Sequence, residues 1–408
     1  MGATTDVKII DVDTHYSEPA DLWTARVPAR FHELVPHQVG NAERGFAWHV
    51  NGDEVLSARA GAGSVVNKDG TKTALWDWDI QGGRRIGEVH PASHDPRERV
   101  DFMTEQGIFA QIIYPNVAGF GGHKLMKLPR DLSKLIVETY NDAMGEMQSV
   151  SNGRLFPQAL LPFWDIDLAV KEVERAATKL DLRGIVMCSE PHSAGFPDLV
   201  DHHWDPLWEA CTEFHMPINL HVGASEFGMD TFMNGAWPSL PYHRRHVVGS
   251  CLIELHNARV LSNLLTSDLL VRFPDTKWVS VESGIGWIPY VIERLEYQLR
   301  DTTPDGRGFD QPMPSELFRR QVYACFWFED IGPSKLLEDI GIDNVMFETD
   351  FPHPTCLYPS AREHALRVLS PWSEEVQRKV LQDNAAKLYR IPLQAGPGHG
   401  AAAAPVAD

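Results

Sequence analysis

The sequence predicts an α/β fold, a (β/α)8 TIM barrel, from three observations. Eight short and nearly continuous apolar runs recur along the chain, which is the pattern of strands buried on both faces. Most of these runs are followed by a segment with apolar residues at helical spacing, and this alternation favours a parallel sheet. Several runs end in an imidazole or a carboxylate, and barrel enzymes carry their functional residues at the carboxyl ends of the strands.

The predicted elements alternate in a regular order. The eight strands occupy residues 7–15, 107–114, 155–161, 184–188, 216–221, 278–282, 322–328 and 344–350. The clearest helices occupy residues 131–150, 165–180, 204–214, 246–273, 285–300, 333–339 and 373–389. Several helices carry start signals, such as Pro333 in a first turn and Ser373 before two glutamates.

Two long segments exceed what a minimal barrel needs. Residues 16–94 follow the first strand and contain Trp76-Asp77-Trp78-Asp79, so we expect an inserted lid over the mouth of the barrel. Residues 226–245 follow the fifth strand and are rich in glycine, proline and aromatic residues, which predicts a capping loop. Residues 394–408, with Gly-Pro-Gly and four alanines, predict a disordered tail, and residues 1–393 are expected to form one domain.

Composition and charge exclude some classes of function. The chain has 408 residues and a formal net charge of -19, which argues against a nucleic-acid partner because phosphate binding needs a basic surface. No apolar segment approaches the roughly 20 residues needed to span a bilayer, and no signal peptide is evident. The five cysteines are scattered and odd in number, which suits a reducing compartment. We therefore expect a soluble cytoplasmic protein, with a homo-oligomer left open.

Five ionisable residues near strand ends indicate a metal site. Asp13 and His15 lie two residues apart on the first strand and therefore on the same face. His221, Glu282 and Asp350 end the fifth, sixth and eighth strands. Such groups would repel one another and lose hydration at one barrel mouth unless a cation compensated them. Because the set is rich in carboxylates, we expect one or two divalent ions of zinc, iron or manganese.

Four motifs carry a resemblance to a known family. They are Ile10-Asp11-Val12-Asp13-Thr14-His15, Asp95-Pro96-Arg97-Glu98-Arg99, Glu282-Ser283-Gly284-Ile285-Gly286 and Met346-Phe347-Glu348-Thr349-Asp350-Phe351-Pro352-His353. Through these motifs nearly the whole chain resembles the amidohydrolase-related (amidohydrolase 2) family of metal-dependent barrel enzymes. That family contains hydrolases and nonoxidative decarboxylases of aromatic or enoic acids, so the resemblance implies one of these two chemistries.

The resemblance also implies residue roles. Asp13 and His15 match the first-strand ligands of the family, His221 the fifth-strand ligand and Asp350 the last. Asp350 would also hold a metal-bound water, accept its proton and pass it to the leaving group. Glu282 departs from the pattern, because many relatives carry a histidine there. It would bridge or bind a second metal, or orient the substrate.

Further candidates surround this set. His353 would hydrogen-bond Asp350 or the leaving group, with structural packing as the alternative. Glu18 is a candidate for substrate binding, for ligation or for loop capping. Trp76 is a candidate for the floor of an apolar substrate pocket. Arg244 and Arg245 are candidates for anchoring a carboxylate or phosphate, although solvated charge at a helix start is the favoured interpretation.

Two residues of the helix after the fifth strand are given no functional role. We expect Glu254 and His256 only to decorate a face of that helix.

The carboxylate excess favours hydrolysis as the main prediction. A divalent ion lowers the pKa of bound water and polarises a carbonyl, so we expect a metal-dependent hydrolase of an ester, thioester, lactone or amide. The substrate would be a medium-sized, largely apolar acid derivative, with a coenzyme A thioester as one candidate. The alternative is a nonoxidative decarboxylase with the same ligands, and a third hypothesis is an inactive barrel used as a binding protein.

Overall fold

The computed structural model describes residues 7–41, 45–57, 63–73, 85–302 and 311–394. Within these ranges the strands are β1 Ile9–His15, β2 His37–Asn41, β3 Gly45–Val50, β4 Glu54–Ser57, β5 Ile108–Tyr114, β6 Leu155–Pro157, β7 Ile185–Val186, β8 Ile218–His221, β9 Trp278–Val281, β10 Val322–Phe326 and β11 Val345–Phe347. All eight predicted barrel strands are present, and most are shorter than their apolar runs.

Parallel pairing carries these eight strands through the sheet in chain order. One ladder joins β1, β5 and β6, and a second joins β7 to β11. At the two seams, single parallel bridges pair Ala159 with Ile185 and Thr14 with Phe351. The amide of His15 donates to the Phe351 carbonyl (2.8 Å), which ties the first strand to the last. The order and direction of the strands are those of a (β/α)8 barrel, as predicted.

Helices separate the barrel strands. They are α1 Pro96–Glu105, α2 Arg130–Val150, α3 Ile166–Lys179, α4 Asp205–Glu213, α5 Glu226–Asn234, α6 Tyr242–Thr266, α7 Leu269–Arg272, α8 Ile288–Thr302, α9 Pro314–Gln321, α10 Ile331–Lys335, α11 Leu337–Ile340, α12 Ala361–Leu369, α13 Glu374–Arg378 and α14 Asn384–Leu388. A π-helical turn, Lys379–Asp383, joins α13 to α14 within the predicted helix 373–389. Among these helices, none has both the length and the apolarity that crossing a membrane would require.

The predicted capping loop at 226–245 is wrong in its secondary structure, because most of it is helical. Ser225 caps α5 by accepting a hydrogen bond from the Gly228 amide (3.0 Å). Gly228 read as a loop signal, but it packs inside the helix pair. At Gly249 on the facing helix α6, a Cβ would lie 2.3 Å from the Phe232 carbonyl oxygen of α5. Gly249 therefore allows α5 and α6 to approach closely, which local sequence does not reveal.

The insertion after β1 contains an antiparallel sheet and a segment that packs beside the last barrel strand. The sheet has the order β2-β3-β4, and its Trp48 packs edge-on against Trp23 (5.7 Å between centroids). Residues 63–73 instead contact the segment after β11, where the Val65 amide donates to the Pro352 carbonyl (2.9 Å). That the insertion is a lid stays a prediction, and Trp76 and residues 395–408 lie outside the described residues.

Candidate metal centre

The five predicted ligands meet at the carboxyl ends of the strands. Asp13 and His15 are on β1, His221 is the last residue of β8, and Glu282 and Asp350 stand just beyond the β9 and β11 regions. Because all eight strands run in the same direction, their carboxyl ends open at one mouth of the barrel. The structure therefore brings together residues that are up to 337 positions apart in the sequence.

The donor atoms are close enough to share an ion. His15 Nε2 and His221 Nε2 are 3.1 Å apart, and each lies 3.6 Å from Asp13 Oδ1. Glu282 Oε2 is 3.4 Å from His221 Nε2. One donor atom from each of these four residues falls within 4.8 Å of the others. Asp350 adjoins the set, with Oδ1 at 3.7 Å from His15 Nε2.

The electrostatics of this cluster fit a bound cation. Both carboxylate oxygens of Asp13 and Oδ1 of Asp350 are buried and have no hydrogen-bond partner among the described residues. Burial, reinforced by neighbouring carboxylates, raises the pKa of Asp13 and of Glu282 well above the usual range. Burial lowers the pKa of His221 to about 4, so this imidazole is neutral and offers a lone pair. A divalent ion would satisfy the oxygens and offset their repulsion.

Two of the carboxylates stand on unusual backbone. Glu282 has φ 52° and Asp350 has φ 58°, in the left-handed region that residues with side chains seldom occupy. Such conformations persist where surrounding contacts hold them, and they concentrate at functional sites. For Asp350 the contact is direct, because its amide donates to the Asp13 carbonyl (2.9 Å). The turn at Asp350 is therefore coupled to the position of a ligand on β1.

His353 lies against the cluster and contacts Asp350. Its ring stacks on that of His15, with centroids 3.6 Å apart and an interplanar angle of 18°. His353 Nδ1 is 3.0 Å from Asp350 Oδ1, and Nε2 is 2.9 Å from Asn116 Oδ1. The hydroxyl of Thr355 donates to the other Asp350 oxygen. His353 therefore lies between Asp350 and Asn116 at the edge of the cluster.

Two aromatic rings enclose the imidazoles. Tyr114, at the end of β5, is fully buried 5.2 Å from the ring of His221. Phe120, in the loop after β5, lies 4.4 Å from the His221 ring and 5.2 Å from the His15 ring. These contacts limit the access of water to the two imidazoles.

The other predicted site residues have different surroundings. Glu18 is buried, and its Oε1 accepts from the amides of Asn116 (2.8 Å) and Val117 (3.1 Å), so it caps the loop after β5. Asn116 connects it to His353. Arg244 and Arg245 are exposed in the first turn of α6, and the structure places neither beside the metal cluster. Their role as an anchor stays a prediction.

Sequence reasoning missed several buried polar residues around the mouth. The expectation that His256 decorates a helix face is wrong: it is buried, with Nε2 at 2.8 Å from Glu190 Oε2. Glu254 is partly buried, and burial together with Glu329 and Asp350 raises its pKa to about 8. For Glu254, helical spacing was the available sequence signal, because residues three apart share a helix face and Asn257 lies three residues further on. Asn257 is directed at the barrel, where it donates to the Leu220 carbonyl (3.0 Å).

The barrel and its carboxylate–imidazole cluster define a class of metal-dependent α/β-barrel enzymes. The family model described as amidohydrolase matches residues 10–391, so the chain belongs to the amidohydrolase 2 family. This result confirms the resemblance drawn from the four motifs. Because this is a family of enzymes, the match gives the third hypothesis, a barrel without catalytic function, the least support of the three.

Solved structures share the fold at low sequence identity. An amidohydrolase from Mycobacterium avium subsp. paratuberculosis has a TM-score of 0.74 and 20% identity, covering 95% of this chain and 100% of that chain. A 5-carboxyvanillate decarboxylase from Sphingomonas paucimobilis has a TM-score of 0.64 and 20% identity, with coverages of 95% and 100%. A dihydroxybenzoic acid decarboxylase from Polaromonas sp. JS666, solved with manganese and 2-nitroresorcinol, has a TM-score of 0.60 and 17% identity, with coverages of 94% and 97%.

Proposed function

We propose that this protein is a metal-dependent nonoxidative decarboxylase of an aromatic or enoic carboxylic acid. The observation that carries the proposal is that His353, which can hold a proton, lies beside a set of buried candidate ligands whose carboxylates have no compensating cation. His353 Nδ1 lies 3.0 Å from Asp350 Oδ1, at the edge of a cluster enclosed by aromatic rings. The decarboxylases among the structural relatives support the same alternative over the hydrolase that the sequence favoured.

Asp13, His15, His221, Glu282 and Asp350 would hold the ion. When bound, a divalent metal supplies a positive charge that fixes the substrate carboxylate and an adjacent oxygen and stabilises negative charge developing there. Manganese is the ion in the Polaromonas relative, and a set with three carboxylates suits manganese, iron or zinc. The number of ions, one or two per chain, is part of the proposal; a second group of close donor atoms, His15, Asp350 and His353, shares His15 with the first.

The residues of this chain would carry the proton. With the neighbouring oxygen ionised, protonation of the carbon that bears the carboxylate turns that oxygen into a carbonyl; the bond to the carboxyl carbon then breaks, carbon dioxide leaves, and the electron pair returns through the ring to the oxygen. Asp350 and His353 would deliver a proton to that carbon, and Asn116 would hold the far nitrogen of His353 in place. The enclosing aromatic rings favour this reaction because they keep bulk water away from the reacting carbon.

Hydrolysis remains a second candidate because of Glu282. Its carboxylate stands where many relatives have a histidine, and an additional carboxylate can hold a second ion or orient an attacking water. Neither the described residues nor the relatives named above point to a coenzyme A thioester or to a particular oligomer. Those two expectations therefore form no part of the proposal. The five free cysteines agree with a cytoplasmic location, which we retain as part of it.

The product distinguishes the two reactions. Protein loaded with manganese would be incubated with a panel of hydroxybenzoates and enoic acids in heavy water. We expect carbon dioxide in proportion to substrate consumed, and one deuterium on the carbon that lost the carboxylate. His353→Gln should retain the metal and lose turnover, whereas His243→Gln, at an exposed helix start, should change neither. Hydrolysis of an ester or lactone panel with oxygen-18 from water in the new carboxylate, and no carbon dioxide, would overturn the proposal.

A further inference from the structure

Phe120 is placed over three histidine rings at the candidate metal centre. Its centroid is 4.4 Å from that of His221, 5.2 Å from that of His15 and 6.0 Å from that of His353. The ring is tilted by 33° to His221 and by 59° to His15. One apolar side chain therefore covers imidazoles that come from β1, from β8 and from the segment after β11.

The loop that carries Phe120 is held tightly against the barrel. A Cβ at Gly121 would lie 2.7 Å from the Cys188 amide nitrogen, so only glycine lets this backbone rest on the end of the β7 segment. Gly119 has φ +81°, and a Cβ there would come within 2.7 Å of the His123 ring. Since the backbone is fixed on both sides of Phe120, its ring has a defined position.

A comparison with Tyr114 indicates that Phe120 does more than fill the core. Tyr114 contacts the same two imidazoles but is fully buried, and its hydroxyl donates to Asn219 Oδ1 (3.0 Å). Phe120 is only half-buried, although the residues beside it in the loop are buried. One part of its ring packs on the imidazoles, while another part remains exposed to solvent.

We propose that Phe120 is a specificity-determining residue that selects planar, conjugated carboxylic acids. This inference rests on the proposed function and names the substrate shape that the site accepts. A substrate whose carboxylate reaches the ligand cluster must extend past the imidazole rings, where Phe120 presents a flat apolar surface. A planar ring can stack offset or edge-on against that surface, whereas a saturated ring of the same size makes poorer contact.

Binding measurements test this inference without depending on turnover. Isothermal titration of the manganese-loaded protein would compare 2-hydroxybenzoate with 2-hydroxycyclohexanecarboxylate. We expect the wild type to bind the planar acid about 10-fold more tightly, which matches the energy of one good aromatic contact. In Phe120→Ala the ratio should fall to about 1–3, and in Phe120→Leu, which keeps most of the volume, to an intermediate value.

Phe227 provides a matched control. It is 42% exposed on α5, where its ring contacts His192 (6.0 Å) and Arg259, and it touches none of the candidate ligands. Phe227→Ala should leave the binding ratio and the metal content unchanged. A Phe120→Ala protein that still prefers the planar acid about 10-fold would overturn the inference, as would a wild type that binds both acids equally or binds neither.

Metal content separates this role from a structural one. If either Phe120 variant lost its metal in proportion to its loss of planar-acid binding, Phe120 would be supporting the ligands and the specificity role would be overturned. The two proposals also fail separately. A protein that binds planar acids through Phe120 but releases no carbon dioxide keeps this inference and loses the proposed function. If Phe120→Ala decarboxylates as fast as the wild type, the proposed function is kept and this inference is lost.

Discussion

Two buried carboxylates on the same strand, Asp11 and Asp13, have opposite surroundings. Asp11 accepts hydrogen bonds from the Thr349 amide (2.8 Å), the Thr349 hydroxyl (2.6 Å) and Gln111 Nε2 (3.0 Å). Asp13 is equally buried, yet neither of its oxygens has a hydrogen-bond partner among the described residues. A protein rarely leaves such a group unsatisfied, because an unpaired buried carboxylate is costly. The comparison distinguishes Asp11, a carboxylate with a structural role, from Asp13, a carboxylate whose surroundings suit a bound cation.

Arg99 extends the structural half of this comparison. Its guanidinium donates to Gln111 Oε1 (3.1 Å) and to the carbonyls of His15 and Ala92, and it lies over the ring of Phe351 (4.5 Å). It therefore links β1, β5 and the segment after β11 directly beneath the ligands. The hydrogen-bonded network of Asp11, Gln111 and Arg99 fixes the backbone. Asp13, which takes no part in that network, remains available to bind a cation.

The largest expected effect comes from removing the unsatisfied carboxylate. Asp13→Ala should abolish stoichiometric metal binding and lower turnover by about a thousandfold, because a bound ion stabilises the transition state by several kcal/mol. The barrel should still fold, since Asp13 makes no side-chain hydrogen bond that would be lost. Metal analysis and steady-state kinetics on the purified variant check this. Full turnover in the variant would remove Asp13 from the site.

The matched substitution at Asp11, whose carboxylate is fully hydrogen-bonded, should lower stability and leave metal binding intact. Asp11→Ala leaves Gln111 and the Thr349 hydroxyl without their partner, so we expect a loss of about 2–3 kcal/mol in the free energy of unfolding. Metal should still bind to the folded fraction. Denaturant unfolding followed by metal titration measures both. A variant as stable as the wild type would show that the Asp11 network does not fix the strand.

The stability of the metal-free protein should fall as the pH rises above about 6.5 through the folded pKa values of the buried carboxylates, by about 1 kcal/mol from Asp11 alone. Burial raises the pKa of Asp11 to about 7 and raises those of Asp13 and Glu282, so the folded state holds protons that the unfolded state has released. This contribution is complete below the unfolded pKa values and disappears as the pH passes the folded ones. Bound metal should flatten the profile, and thermal melts with and without manganese would test it.

Burial of His221 acts in the other direction, but at lower pH. Its pKa is lowered to about 4, so its contribution to stability is lost as the pH falls below about 6.5 toward 4. The two effects therefore oppose each other below pH 6.5, and of these groups the carboxylates act above it. A metal-free protein that gains stability between pH 6.5 and 8.5 would contradict the assigned protonation states.

The smallest effect should come from Glu282→His, which restores the residue type found in many relatives. Glu282 Oε2 lies 3.4 Å from His221 Nε2, and an imidazole can supply a donor from the same strand end. We expect one ion to be retained and turnover to stay within about tenfold, as for changes that tune rather than remove a metal site. If the wild type holds two ions and this variant one, Glu282 binds the second. Loss of all metal would make Glu282 indispensable.

Much of the fold and part of the site could be predicted because their signals are local. Strand periodicity placed Asp13 and His15 on one face, and short apolar runs placed His221 and Asp350 at strand ends. The left-handed backbone of Glu282 and Asp350 left no such signal, since it depends on contacts between distant segments. The ring of Phe120 over His221 was hidden for the same reason.

Errors in the prediction have a common physical origin in packing between elements. The segment 226–245 read as a loop because of its glycines, yet Gly228 is buried within α5, and Gly249 of α6 allows the two helices to pack closely. His256 read as an exposed residue of a helix, yet it meets Glu190 from the loop after β7. In both cases the partner is far away in sequence, so no local pattern could have identified it.

The central claim is that the unsatisfied cluster around Asp13 holds a divalent metal. The most direct test is elemental analysis of the protein and of Asp13→Ala at known concentration, each stripped with chelator and reloaded with manganese, zinc or iron. The account predicts at least one ion per chain in the wild type and a fraction near zero in the variant, with Asp11→Asn close to the wild type. A folded wild type that retains no ion after loading, or a variant that retains as much as the wild type, would contradict it.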